Sequence, residues 1–264
     1  MTHNGAPGHA PDAKPVPDYH SIPSMPEATS LHVLYEDNHI IIVNKRPGDI
    51  VQGDKTGDAP LGDAVKAYIK EKYHKPGEVF LGVVHRLDRP VSGVVVFART
   101  SKALARLNEM FRTGRVHKTY HAIVCSTPQE PEATLTHWLT RNEKQNKAYA
   151  HPREVAGSKK AVLDYRLIGR SDRYALLEVN LHTGRHHQIR CQLAAMHCVI
   201  KGDLKYGAPR SNPDGSICLH ARHIEFEHPV SHKLISVDAP YPTGVGLWQL
   251  WANDGQPTPE ASAD

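Results

Sequence analysis

The sequence lacks any long hydrophobic run: nothing in its 264 residues approaches the roughly 18 consecutive apolar residues needed to cross a bilayer as a helix. It also lacks the basic start and apolar stretch of a secretory signal, so the cytoplasm is the expected compartment and no membrane contact is expected. Cysteine is scarce. The four present (Cys125, Cys191, Cys198 and Cys218) form no CxxC pair and are irregularly spaced, which argues for free thiols rather than a disulfide framework. Strong net charge is missing too. With 32 basic and 28 acidic side chains the balance is only +4, so any nucleic-acid signal has to be sought locally. No Walker loop, nucleophile elbow, dinucleotide fingerprint or internal repeat occurs.

At 39% hydrophobic and 23% charged residues, a chain of this length can bury a sizeable core and is most simply one globular domain, here assigned to residues 31–250. The first thirty residues hold six prolines and few large apolar groups, and residues 251–264 are similarly poor; both are expected to be disordered tails.

Scaffold and chemistry meet in residues 85–98, HRLDRPVSGVVVFA. Val94, Val95, Val96 and Phe97 are β-branched or aromatic and read as a short buried strand. His85, Arg86, Asp88 and Arg89 precede it. Pro90 cannot donate to a central ladder, which puts these polar residues in a loop and makes Ser92 and Gly93 the turn into the strand. A carboxylate between two arginines at the mouth of a buried strand is suited to act as nucleophile or base. The local pattern fits at least as well an Asp that only braces its turn and pairs with an arginine.

HRLDRPVSGVVVFART resembles the active-site motif of the RluA-type pseudouridine synthases, HRLDxxxSGxxxxA, in which the Asp is catalytic. Three other stretches resemble that family in the same order. EDNHIIIVNKRPG at 36–48 is similar to its opening motif, with the usual Lys-Pro pair split by Arg46. HKTYHAIV, with Lys118, Thr119 and Tyr120, resembles the strand that bears the family's active-site tyrosine. HTGRHHQIR at 182–190, followed by Gly202, Asp203, Tyr206 and Gly207 in KGDLKYG, resembles the segment whose final arginine pairs with the catalytic Asp. Four ordered motifs are more specific than any one of them.

The resemblance implies a cofactor-free isomerase that breaks a C–N glycosidic bond in RNA, turns the uracil and rejoins it through carbon. It makes Asp88 the catalytic carboxylate, Arg190 its orienting partner and Tyr120 the residue that stacks on the uracil and assists proton transfer. Arg86 resembles the position that fills the space left by a base taken out of its stack. Many members carry an extra RNA-binding module of the S4 type before the catalytic domain. The first thirty residues are too few and too irregular for one, so no S4 domain is expected.

Between residues 99 and 120 there are six Lys or Arg side chains against Glu109 alone. Lys102, Arg106, Arg112 and Lys118 from this stretch, with Arg185, are the expected RNA contacts; a solvated helix face is the plainer alternative. His182, His186, His187 and His197 cluster in sequence with Cys191 and Cys198, but their spacing matches no zinc pattern and no metal is expected. Asp203, beside Gly202, reads as a turn anchor rather than a catalyst.

Periodicity and turn residues predict strands at 31–36, 39–44, 117–125, 134–140, 160–168, 174–182, 217–227 and 233–238. Helices are predicted at 61–73, with Leu61, Ala64, Val65, Tyr68 and Ile69 on one face, and at 186–197. A third, with Ser101 as N-cap and a stripe of Leu104, Leu107 and Phe111, should end at Gly114. Strands that follow one another without helices imply antiparallel pairing. The expected fold is mixed α/β (α+β), with a largely antiparallel central sheet and flanking helices. The expected substrate is ribosomal or transfer RNA, and the protein is expected to work as a monomer without an obligatory protein partner. Two other functions fit parts of the pattern: a catalytically idle RNA-binding protein on the same fold, and a glycoside or nucleoside hydrolase. The hydrolase ordinarily needs two carboxylates, and only Asp203 could be the second.

Overall fold

In chain order the strands are β1 (Val33–Glu36), β2 (Ile40–Lys45), β3 (Gly82–Val83), β4 (Ser92–Ala98), β5 (His117–Val124), β6 (Glu132–Asn142), β7 (Lys147–His151), β8 (Lys159–Arg170), β9 (Ala175–Leu181), β10 (Leu219–Glu227) and β11 (Leu234–Asp238). The α-helices are α1 (Leu61–Lys72), α2 (Ser101–Arg112) and α3 (Gln188–Ala195). These come from a computed structural model that describes residues 1–2, 31–53 and 57–252. Nearly all of the two expected tails therefore lies outside the described residues.

The strands join in one sheet in the order β1-β2-β4-β10-β5-β9-β8-β6-β7, with β3 beside β4 and β11 beside β10. Every pairing among the named strands is antiparallel except that of β4 with β10, where Ser92 and Gly93 run parallel to His220 and Ala221. The expected mixed fold on a largely antiparallel sheet is what the chain adopts.

Alternation along β2 and β4 feeds two cores. Ile41, Val43, Val95 and Phe97 meet Leu61, Val65 and Ile69 of α1, while Ile40, Ile42, Val94 and Val96 meet Ala103, Leu107 and Met110 of α2. Covered on both faces, these strands have no polar side, which is why they read as unbroken apolar runs. Each such side chain contributes about 1.5–3 kcal/mol by leaving water.

Several local expectations are corrected. Ser92 and Gly93 are not a turn before β4 but its first residues, because they pair with a strand more than a hundred residues away. Gly93 has φ +115°, and a Cβ there would stand 2.3 Å from the Ala221 carbonyl oxygen, so only glycine fits. Thr100, not Ser101, caps α2, its Oγ1 accepting the Ala103 N–H at 3.2 Å. Ala64 of α1 is exposed, and the apolar face there runs through Gly62 instead. The third helix is shorter at both ends than 186–197, since His187 (φ +51°) and His197 (φ +63°) are left-handed. β7 and the two-residue β3 were not foreseen at all.

Candidate active site

The loop that joins β3 to β4 carries Asp88 and is pinned at both ends. His85 Nε2 accepts the Val96 N–H at 3.0 Å, between the stretches of β4 that pair with β3 and with β10. Its ring stacks on Phe111 of α2 with centroids 4.8 Å apart. Burial lowers the His85 pKa to about 3, so the ring is neutral and keeps the lone pair that this bond needs. At the other end Lys45 of β2, 1% exposed, donates to the carbonyls of Arg46 (2.9 Å), Arg89 (3.1 Å) and Val91 (2.6 Å). Burial brings its pKa down to about 8. The Gly48 N–H also donates to Arg89 O, and the Val91 N–H closes a turn on Asp88 O at 3.0 Å. Thus the stretch similar to the family's opening motif acts structurally, as the clamp on the Asp88 turn.

Tyr120 reaches the same place through the sheet. In β5 it lies opposite Ala221 of β10 and Val179 of β9, one strand beyond the Gly93–Ala221 contact and close under the loop. Burial, and then the charge of Asp88, raise its pKa, so it is a neutral phenol.

Arg190 comes from the first turn of α3, where the chain leaves β9. Its Nη1 donates to Asp88 Oδ2 at 2.9 Å, and its Nε and Nη2 donate to the two Asp203 oxygens at 2.7 and 2.8 Å. Arg190 is 5% and Asp203 1% exposed. Burial alone would lower the arginine's pKa, but its bonds to Asp203, the charge of Asp203 and then Asp88 more than offset this and hold it firmly protonated. Asp203 therefore does more than the turn-anchoring role expected of it: its backbone makes the turn, its side chain holds the arginine. Its neighbourhood in sequence contains no sign of this, since the partner lies in a different element.

Asp88 is not bracketed by its sequence neighbours. Arg89 Nη1 turns away to Asp58 at 2.6 Å, and Arg86 is exposed. Asp88, Tyr120, Arg190, Arg86 and Arg185 line one pocket of about 90 Å³. Wider troughs open on either side, each including Arg86. One, of about 720 Å³, takes in Arg112, Lys118 and Arg185; the other, of about 400 Å³, takes in Arg141, His186 and Lys205. The remaining expected RNA contacts are placed elsewhere. Lys102 lines none of these cavities, and neither does Arg106, whose Nη1 is bound to Pro229 O at 2.6 Å. Arg112 is shared with Glu109, and the Lys118 ammonium lies over Phe111 at 5.7 Å, its pKa lowered by burial. Arg141 and Lys205 were missed because they sit on a hairpin and a short turn, outside any run of basic residues.

Among the described residues no three His, Cys, Asp or Glu side chains form a group that could hold a metal. Cys191 and Cys198 are buried free thiols, and the exposed His182 pairs with Asp164.

Residues 39–195 match the family described as RNA pseudouridylate synthase. The chain is 35% identical over 239 residues to ribosomal large subunit pseudouridine synthase D of Xylella fastidiosa, covering 83% of this chain and 68% of that one. It is 29% identical over 238 residues to tRNA pseudouridine synthase C of Pectobacterium carotovorum, covering 81% and 60%. The solved structure of human RNA pseudouridylate synthase domain containing 4 shares the fold, with a TM-score of 0.68 at 23% identity over 84% of this chain and 92% of that one. With its loop, sheet and arginine arranged as described, and more than half of its length matching the family, the chain belongs to the RNA pseudouridylate synthases.

Proposed function

We propose that Asp88 is the carboxylate through which this RNA pseudouridine synthase isomerises uridine, and that its substrate is a structured segment of ribosomal or transfer RNA. The observation that carries the first part is the 2.9 Å bond from Arg190 to Asp88 Oδ2 at the wall of a pocket that also holds Tyr120. Arg190 holds the carboxylate by one oxygen. Among the described residues no donor reaches Oδ1, which is thereby available as nucleophile or base. Tyr120 stacks on the uracil and exchanges a proton, a role supported by its neutral phenol in the lining of the same pocket. Arg86 fills the gap left by the departed base, a role supported by its exposure and its share in the lining of the pocket and both troughs.

The isomerisation conserves atoms and electrons: the C–N bond is exchanged for a C–C bond, and the ring carbon's proton passes to the released nitrogen. A hydrolase would need a second carboxylate at the scissile bond. Asp203 is closed to that role, since both of its oxygens are bound to Arg190 and it is 1% exposed.

Ribosomal and transfer RNA are the substrates named for the two relatives, which supports them as the class. We further propose a cytoplasmic enzyme that works as a monomer with no obligatory protein partner. The test is to delete the gene and map lost pseudouridines across all cellular RNA, with add-back of the purified protein. Loss and restoration at a defined ribosomal or transfer RNA position is expected; an unchanged map, or free uracil released on add-back, would overturn the assignment.

A further inference from the structure

His187 stands beside the Asp88–Arg190 pair and has no part in the chemistry assigned to Asp88, Tyr120 and Arg190. It is 8% exposed and left-handed at φ +51°, a strained conformation for a non-glycine residue that persists where the surroundings insist on it. Its Nε2 is 3.1 Å from Arg190 Nη1 and 3.4 Å from Asp88 Oδ2. Its Nδ1 is 3.0 Å from the Tyr206 hydroxyl, which also accepts the Ala148 N–H at 2.8 Å. His186 stacks on its ring at 3.8 Å, and the Arg190 guanidinium lies over the Tyr206 ring at 5.2 Å.

The geometry points to His187 as a positioning residue of the reaction: a neutral imidazole, protonated on Nδ1, whose Nε2 accepts from Arg190 Nη1 and thereby holds that nitrogen against Asp88 Oδ2. A guanidinium is planar, and its placing is set by what holds each of its nitrogens. Asp203 fixes that plane through Nε and Nη2. Nε2 and Oδ2 stand only 3.4 Å apart, both within reach of Nη1, so His187 holds that nitrogen against the carboxylate. Arg190 can only donate, so Nε2 has to be the acceptor and the ring proton belongs on Nδ1, directed at the Tyr206 oxygen. A charged ring would lose the acceptor and repel Arg190. Burial prevents this by lowering the His187 pKa to about 3, although Asp88 acts in the opposite sense.

This inference rests on Asp88 being the reacting carboxylate, and the experiment separates the two. On the full chain, single-turnover pseudouridine formation and RNA affinity are measured for wild type, His187→Gln, His187→Leu and Asp88→Asn, and the His187 tautomer is read by long-range 15N NMR of the wild type. The expected result is a neutral Nδ1–H ring at neutral pH, and a rate about thirtyfold lower for His187→Leu at unchanged RNA affinity. His187→Gln, whose carbonyl can accept from Arg190, should recover most of that rate. A ring protonated on Nε2, a folded His187→Leu with the wild-type rate, or equal losses for the two His187 variants would each overturn the inference. Because the tautomer is read on the wild type, the outcome does not depend on the Leu variant folding at a left-handed position. An active Asp88→Asn would instead remove the reading on which it rests.

Discussion

Asp203 holds Arg190 by two hydrogen bonds, 2.7 Å from Nε and 2.8 Å from Nη2, with both side chains sealed from solvent. That bond pair is formed 13 residues apart in sequence, and it turns a flexible arginine into a fixed donor whose remaining nitrogen faces Asp88. The buried arginine has carboxylates on two sides, and removing the better-bound one leaves a desolvated cation with a partly exposed partner.

Asp203→Asn should therefore damage both folding and turnover. Breaking one side of a buried pair costs about 3–5 kcal/mol, so a clear drop in melting temperature is expected. At temperatures where the variant is still folded, single-turnover pseudouridine formation should fall by about tenfold or more while RNA affinity changes little, because the substrate-facing cations are untouched. Differential scanning fluorimetry and a rapid-quench assay check the two halves. A variant as stable and as fast as wild type would mean that Arg190 is held by other groups.

Acid should destabilise the fold before it affects any carboxylate. Burial lowers the pKa of both His85 and His220 from the ordinary 6.5 to about 3. Between those values the unfolded chain binds protons at these sites and the folded chain does not. Their contribution to stability is thus complete above pH 6.5 and is lost as pH falls toward 3, at up to about 1.4 kcal/mol per pH unit for each. Urea unfolding midpoints measured from about pH 7 to pH 5 should decline, starting near the histidine range. A flat profile across that interval would contradict the neutral, buried state of these rings.

RNA affinity should depend on which basic residues border the pocket rather than on how many the helix carries. Arg112 and Arg185 line the larger trough, whereas Lys102 does not and Arg106 is occupied by Pro229 O. Replacing Arg112 and Arg185 together by Ala should weaken binding and reduce the slope of log K against log salt by about 2. Replacing Lys102 and Arg106 should leave the slope nearly intact. Equal effects from both pairs in a filter-binding salt series would return the RNA path to the whole helix.

The parts of this fold that could be foreseen are those set by short-range patterns. The apolar runs of β2 and β4, the amphipathic α1 and the Pro90 loop follow from the residues themselves, and the order of four motifs pointed to Asp88, Tyr120 and Arg190 before any geometry was known. The parts that could not be foreseen depend on distant partners. Ser92 and Gly93 join the strand because His220 and Ala221 lie alongside, and the Asp203 side chain is spent on Arg190 while its backbone makes the turn. His187 looks like the start of a helix, yet its backbone is left-handed and its ring is held by Tyr206. Thr100 and Ser101 are both hydroxyl residues, and only the Ala103 contact distinguishes the cap.

Asp88 carries the central claim. Asp88→Asn keeps the shape and most of the hydrogen bonding of the side chain, leaves Asp203 to compensate Arg190, and deletes the charge that would attack or accept a proton. The decisive measurement is pseudouridine formed per enzyme in a single turnover on the mapped RNA substrate, with melting temperature and RNA affinity recorded on the same wild-type and Asp88→Asn samples. A folded variant that binds RNA as tightly as wild type, or more tightly through relief of repulsion with phosphates, yet forms no pseudouridine above background is the predicted result. A folded variant that isomerises uridine at a rate comparable to wild type would contradict the account.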